Sequence, residues 1–200
     1  KRDNTKPFFL RTSFVAPHPP YVCPSNYFDM YNSVDLEKPH IGEWAKEKGE
    51  IYPEYNCFEG KLTEDELHRM KSGYFGLITH MDHQIGRLLR TLKDEGVLED
   101  TVILFTSDHG EMLGDHNMFR KGYGFEGSCH VPMILYDPGK NLDIKNGSEC
   151  DKITELRDVF PTLLEAVGID IPESVEGISL LKIANDNEKF ANFREYIHGE

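Results

Sequence analysis

The stretch that most constrains this chain is Thr101 to Lys121, TVILFTSDHGEMLGDHNMFRK, where a short apolar run breaks into acids, histidines and glycines. Val102 to Phe105 is continuously apolar with β-branched residues, which predicts a strand covered on both faces, as in a parallel sheet. Chain leaving the carboxyl end of such a strand is where open α/β sheets place ligands. Ser107, Asp108, His109, Gly110, Glu111, Gly114, Asp115 and His116 fall there. Adjacent Asp108 and His109 can offer one cation a carboxylate oxygen and an imidazole nitrogen, while Gly110 lets the backbone turn without Cβ obstruction. The alternative is an Asp-Gly-rich turn with incidental histidines. Residue types alone do not choose the cation.

Two hundred residues are enough for one sizeable core, so a single domain or most of one is expected. The 35 acidic residues outnumber 22 basic ones, giving a net charge of -13. That excludes a nucleic-acid partner, which needs a clustered basic surface. An acidic chain handling an anion must concentrate positive charge locally, so a metal and a few placed Lys or His side chains become more necessary. No apolar run reaches the roughly 18 residues of a membrane span, and no secretion leader is visible. Lys1 is no natural start, and the chain is expected to be a piece of a longer one. Cys23, Cys57, Cys129 and Cys150 lack CxxC spacing, so neither a zinc knuckle nor a redox motif is indicated. Two disulfides stay open.

Taken in order, Pro7 to Ala16 reads as a buried strand ending at Pro17. The prolines of Pro17-His18-Pro19-Pro20-Tyr21 then stiffen a turn around His18, which would spend little entropy on meeting a ligand. Residues 27–44 read as a long connection with aromatic anchors at Tyr27, Phe28, Tyr31 and Trp44, and His40 and Trp44 are candidates to touch substrate. Thr63 with Glu66 is a capping box opening a long helix, whose apolar stripe from Leu67 to Leu92 faces a sheet and which Gly96 ends. Gly73, Gly76 and Gly86 each cost that helix roughly 1 kcal/mol, so close packing on a neighbour is expected to compensate. His80, Asp82 and His83 do not share one face and read as solvated or structural. Val131 to Tyr136 is a further strand, closed by Asp137-Pro138-Gly139. A helix from Thr154 to Val167 should kink or restart at Pro161 and stop at Gly168, and Glu195 to His198 is strand-like. Alternating strands and helices imply an α/β sandwich with a mainly parallel sheet.

The run SDHGEMLGDH, Lys121 beyond it, and FEGSCHVPMI together resemble the sulfatases of the alkaline phosphatase superfamily, whose pattern is roughly S-D-H/N-G-E-x-L-G-x-H, a lysine, an acidic residue and R-V-P-hydrophobic. PHPPY, the long helix and VFPTLLEAVGI follow in the family's order. The resemblance implies an α/β alkaline-phosphatase-like sandwich with a mainly parallel central sheet and helices on both faces. Residues 1–200 would be part of the catalytic domain, with about 186–200 beginning the C-terminal subdomain. It also implies roles: Asp108 and His109 as ligands of a divalent cation, calcium in the family; Lys121 at the sulfate and leaving-group oxygens; and His18 on the sulfate. His116 would orient Lys121 or a neighbouring oxygen. Glu111 and Asp115 read as supporting residues, since surplus negative charge would repel a sulfate.

His130 departs from the pattern, standing where many members carry arginine. Cys23 is rejected as the nucleophile, because the family's C/S-x-P-x-R motif, whose Cys or Ser becomes formylglycine, does not fit Cys23-Pro24-Ser25-Asn26. That motif and the family's Asp-Asp strand occur nowhere in the 200 residues and are expected before Lys1. The chain alone would then be half an active site without turnover. Three functions follow: a piece of a sulfatase acting on a small-molecule or carbohydrate sulfate ester, a phosphonate or phosphate ester hydrolase of the same superfamily, or a non-catalytic anion- or carbohydrate-binding domain. By resemblance the location would be secreted, periplasmic or lysosomal.

Overall fold

The computed structural model describes residues 5–47, 52–54, 57–145, 147–185 and 194–197. The chain divides into two units: Lys1–Tyr52, Glu59–Leu88 and Leu113–Met118 form the first, and Pro53–Phe58, Leu89–Met112 and Phe119–Glu200 the second. Among the described residues no helix is long and apolar enough to cross a membrane.

In the first unit, Pro24 opens the helix α1, Ser25–Asn32, where the sequence read as a wandering connection. Two very short strands come next in sequence, β1 at Tyr52–Glu54 and β2 at Cys57–Glu59, both mostly in the second unit, before the 31-residue helix α2, Glu64–Asp94, which lies mostly in the first. The expected capping box is present: the Thr63 amide and hydroxyl donate to the Glu66 carboxylate at 2.9 and 2.7 Å, and the Glu66 amide returns to Thr63 Oγ1 at 3.3 Å. The same bonds, backbone first, hold the Glu66 carboxyl below its usual range. At the other end Gly96 takes a φ of 68° and Val97 N–H donates to Leu92 O at 2.9 Å, closing the helix as expected.

The apolar stripe of α2 is only half-buried apart from Leu77, and the other buried residues of the helix are Lys71, Ser72, Gly73 and Gly76. α1 lies against α2 through Tyr27, whose hydroxyl bonds His83 Nδ1 at 2.9 Å and whose ring lies 4.9 Å from that of His80, and through Tyr31, which bonds Thr79 at 2.6 Å. His80 and His83 thus have the structural role expected of them. A Cβ at Gly73 would stand 2.3 Å from Tyr21 O and one at Gly76 2.6 Å from Cys23 Sγ, so close approach explains these two glycines; at Gly86 nothing lies within 4 Å. Gly73→Ala should therefore destabilise the intact protein by about 1–3 kcal/mol through overpacking. Gly86→Ala should stabilise it by up to about 1 kcal/mol. Denaturant midpoints of the two variants check this, and equal shifts would refute the packing account.

In the second unit, β3, Ile103–Thr106, is followed by β4, Met118–Arg120, at the edge of a three-stranded sheet in the order β1-β2-β4. After the four-residue helix α3, Glu126–Cys129, comes β5, Met133–Tyr136. β3 and β5 pair antiparallel, Ile103 opposite Tyr136 and Thr106 opposite Met133. This overturns the expectation of a mainly parallel central sheet. A parallel neighbour requires a crossover that carries the chain back to the strand's starting end. Between Thr106 and Met133 the chain instead turns through β4 and α3 and enters β5 from the opposite end. Nor is the apolar run fully covered: every residue of β3 is half-buried, and β5 alternates, with Ile134 and Tyr136 exposed.

The predicted strand from Pro7 to Ala16 is a second correction. The segment belongs to neither sheet, and Phe9 and Val15 are 79% and 82% exposed. The predicted C-terminal helix begins later than Thr154, as a 3-10 turn over Leu156–Asp158 running into α4, Val159–Ala166. Pro161 falls in the first turn of α4, where its missing N–H costs nothing. Glu155 and Asp158 form the capping box. Leu180 and Ile183, beside and within the final helix α5, Leu181–Asn185, pack with Met133 and Ile178. Residues 195–197 form no strand; His198 and residues 186–193 lie outside the described residues. Cys23, Cys129 and Cys150 are thiols.

Candidate active site

β3 ends at Thr106, and the chain closes at once into a tight turn in which Ser107 Oγ donates to His109 O at 2.7 Å. His109 N–H donates to Asp108 Oδ1 at 3.1 Å, leaving the Asp108 side chain 89% exposed. His109 Nδ1 lies 2.8 Å from Gly110 O. A carbonyl only accepts, so Nδ1 carries the proton and the Nε2 of neutral His109 carries the lone pair. That nitrogen stands 3.9 Å from Asp108 Oδ1. Two donors about 2.1–2.5 Å from one cation sit about 3–4 Å apart, so this pair fits a shared ion. Anchoring of the other ring nitrogen on a backbone carbonyl is the arrangement metal-binding histidines use. Among the described residues no group of three or more His, Cys, Asp or Glu converges. The pair is two donors, and an ion needs more.

Gly110 serves close approach. Its N–H donates to Ser128 O at 2.8 Å, and a Cβ there would stand 2.2 Å from Gly127 O. Glu111 N–H donates to Gly127 O at 2.7 Å, Met112 N–H to Arg120 O at 2.8 Å, and the Arg120 amide to the Glu111 carboxylate. Glu111 is thereby a backbone support, as expected. Lys121, half-buried, follows β4 directly, and Gly122 N–H donates to Ser128 Oγ at 3.3 Å. Buried Ser128 therefore ties both the Asp108-His109 turn and the Lys121 segment to α3, a role the sequence reading missed. Its one signal was its place inside FEGSCHVPMI. His130 turns onto the Glu126 carboxylate at an exposed surface.

His18 and His116 belong to the first unit, Asp108, His109 and Lys121 to the second. His18 is exposed on its proline turn, its Nδ1 2.8 Å from Pro19 O. His116 is built into a clasp between two loops. Its N–H donates to His40 O at 2.7 Å, and its Nδ1 accepts from Gly42 N–H at 3.0 Å. Asp115 Oδ1 accepts from His40 N–H at 2.9 Å, and Asn117 Nδ2 donates to Ala45 O at 2.8 Å. Buried Lys71 donates to Glu37 O beneath. Burial pushes its ammonium below the usual lysine range, opposed by Asp115 and Glu37. Leu113, Gly114, His116 and Asn117 all take positive φ, so this loop holds a strained backbone that the clasp maintains.

The sequence pattern of the Sulfatase family matches residues 1–169. The chain belongs to the sulfatase family. It is 50% identical to an arylsulfatase of Clostridium perfringens, over 100% of this chain and 42% of that protein. It is 35% identical to a multifunctional alkaline phosphatase superfamily protein of Trinickia caryophylli, over 98% and 40%. Its fold is similar to the crystal structure of a phosphonate monoester hydrolase of Agrobacterium radiobacter, with TM-score 0.75 and 30% identity, covering 94% of this chain and 40% of that one. This sulfatase-family chain thus spans about two fifths of the length of these relatives. The structural likeness relates the fold to the alkaline phosphatase superfamily even though its strand pairing here is short and antiparallel.

Proposed function

We propose that the intact protein containing this chain hydrolyses sulfate esters, with Asp108 and His109 supplying part of a divalent-cation site. The observation that carries the reading is the Asp108-His109 pair at the end of β3, spaced and hydrogen-bonded as two ligands of one ion. A bound cation, calcium by family resemblance, would place positive charge against the sulfate oxygens. Further oxygen donors and the formylglycine nucleophile would come from outside these residues, since the C/S-x-P-x-R motif occurs nowhere among them.

The chain's own residues have distinct tasks in this reading. Lys121 brings an ammonium to the sulfate and leaving-group oxygens, a mobile point charge that can follow developing charge and donate a proton. His18, held by its prolines, contacts the sulfate. By the family resemblance, His116 would orient Lys121 or a neighbouring oxygen. A phosphonate or phosphate ester reaction is the second reading, favoured by similarity to the Agrobacterium radiobacter enzyme.

Asp108→Ala in the intact protein is the test. It should weaken cation affinity about tenfold or more and lower sulfate-ester turnover in step, with excess calcium restoring part of the loss. Turnover and affinity unchanged by the substitution would remove Asp108 from the site. Phosphonate esters turned over better than sulfate esters by the wild type would favour the second reading.

A further inference from the structure

The chain enters Lys121 through a residue in the left-handed region. Arg120, the last residue of β4, has a φ of 68°, a conformation that a Cβ disfavours and that glycine usually supplies. Such a backbone persists only where its surroundings over-determine it, and three contacts do so here. The Glu111 carboxylate accepts from Arg120 N–H, and Arg120 O accepts from Met112 N–H at 2.8 Å, so both polar groups of the Arg120 backbone are bonded to the 111–112 segment. The Arg120 guanidinium lies over the Phe58 ring on the neighbouring strand β2, 4.2 Å from its centroid, which fixes the side chain as well. Phe58, Glu111, Met112, Arg120 and Lys121 all belong to the second unit, as do Asp108 and His109.

We infer that Glu111 and Arg120 are positioning residues: the Glu111 carboxylate locks Arg120 in its left-handed turn, and this lock sets where the chain carries the Lys121 ammonium. The inference rests on the reading above in which Lys121 acts at the leaving-group oxygen. Glu111 uses its backbone and its side chain for different ends. Its N–H donates to Gly127 O and holds the chain leaving the Asp108-His109 turn, while its carboxylate reaches across to Arg120. A change confined to the side chain therefore disturbs the lysine end of the site and leaves the cation pair in place. The lock needs an acceptor at the right reach, not a charge.

The test pairs Glu111→Asp, which keeps the charge but withdraws the oxygens by one methylene, with Glu111→Gln, which keeps the reach and an accepting oxygen. Both are made in the intact protein and assayed on an alkyl sulfate and on nitrophenyl sulfate, with calcium affinity measured alongside. Glu111→Asp should lower kcat about 10- to 100-fold on the alkyl ester, in the range that a small misplacement costs, and less than about threefold on the aryl ester. Glu111→Gln should stay within about threefold of the wild type on both esters, with calcium affinity unchanged in either variant. In a Lys121→Ala background Glu111→Asp should add less than about twofold, since a residue acting through Lys121 has nothing left to place. Where Lys121→Ala itself harms the alkyl ester more, three results would overturn the inference: equal Glu111→Asp losses on the two esters, a Glu111→Gln defect as large as that of Glu111→Asp, or full additivity with Lys121→Ala. Crystal structures of the wild type and Glu111→Asp decide the lock without turnover, and so separate its failure from that of the proposed reaction. A displaced Lys121 in Glu111→Asp, with Lys121→Ala equally harmful on both esters or no sulfate turnover at all, would keep the lock and discard the lysine's role at the leaving oxygen. An undisplaced Lys121, with Lys121→Ala more harmful on the alkyl ester, would do the reverse.

Discussion

Lys121→Ala in the intact protein should lower kcat on the order of 100-fold or more while leaving cation affinity unchanged. The reason lies in where charge moves. As the ester bond breaks, negative charge gathers on the leaving oxygen, and an ammonium beside it is worth more in the transition state than in the ground state. Nitrophenolate is stable as an anion and needs little help, whereas an alkyl alcohol needs its oxygen protonated or strongly stabilised. The loss should therefore be larger for alkyl than for aryl sulfates. Equal losses on the two, or a loss that added calcium repairs, would show that Lys121 does not act at the leaving oxygen. A collapse of the loop around it would be a different outcome, and Ser128→Ala distinguishes it. That variant removes the hydroxyl accepting from Gly122 N–H but leaves the lysine, so it should weaken turnover on both ester types alike.

The parts of this fold that were legible in sequence are the parts fixed by neighbours in sequence. Thr63 and Glu66 cap α2 because both partners lie within one turn, and Gly96 and Gly168 end helices because each takes a positive φ there. Asp108 and His109 come within 3.9 Å for the same reason, being adjacent in sequence. Strand direction was not. Apolar residues at 102–105 suit a parallel or an antiparallel neighbour equally, and only the path from Thr106 to Met133 decides between them. Apolar residues such as Phe9 and Val15 suggest burial in the sequence, but burial needs a partner surface, which hydrophobicity alone does not specify. Likewise Gly42 gave no sequence signal, since its meaning lies in His116, 74 positions away. Gly73 inside a helix signals close packing, but the sequence does not name its partner, Tyr21.

The second large effect concerns Asp158 and Arg194, which sequence spacing of 36 residues also concealed. Asp158 is fully buried, and both its oxygens are occupied. Oδ2 accepts from Arg194 Nη1 at 2.7 Å and Glu155 N–H at 2.8 Å, and Oδ1 from Arg194 Nη2 and Ile178 N–H, each at 2.9 Å. Burial alone would raise this carboxyl, but the Arg194 side chain and the two backbone donors outweigh it and hold it below the usual aspartate range. Arg194→Met should destabilise the intact protein by about 3–5 kcal/mol, because it strands a buried carboxylate with two amides and no counter-charge. Asp158→Asn should cost less in acid than at neutral pH. The carboxylate's folded pKa lies below its unfolded value of about 3.9, so the unfolded chain binds more protons between the two. Its stabilisation is complete above that window and is lost as pH falls through the folded value. Arg194, pushed above its ordinary value chiefly by its bonds to Asp158, stays charged throughout and adds no pH dependence there. Denaturant unfolding from pH 7 into acid should thus show the wild type losing its advantage over Asp158→Asn below about pH 4. A constant difference between the two proteins across that range would mean that the carboxylate's ionisation is not what Arg194 stabilises.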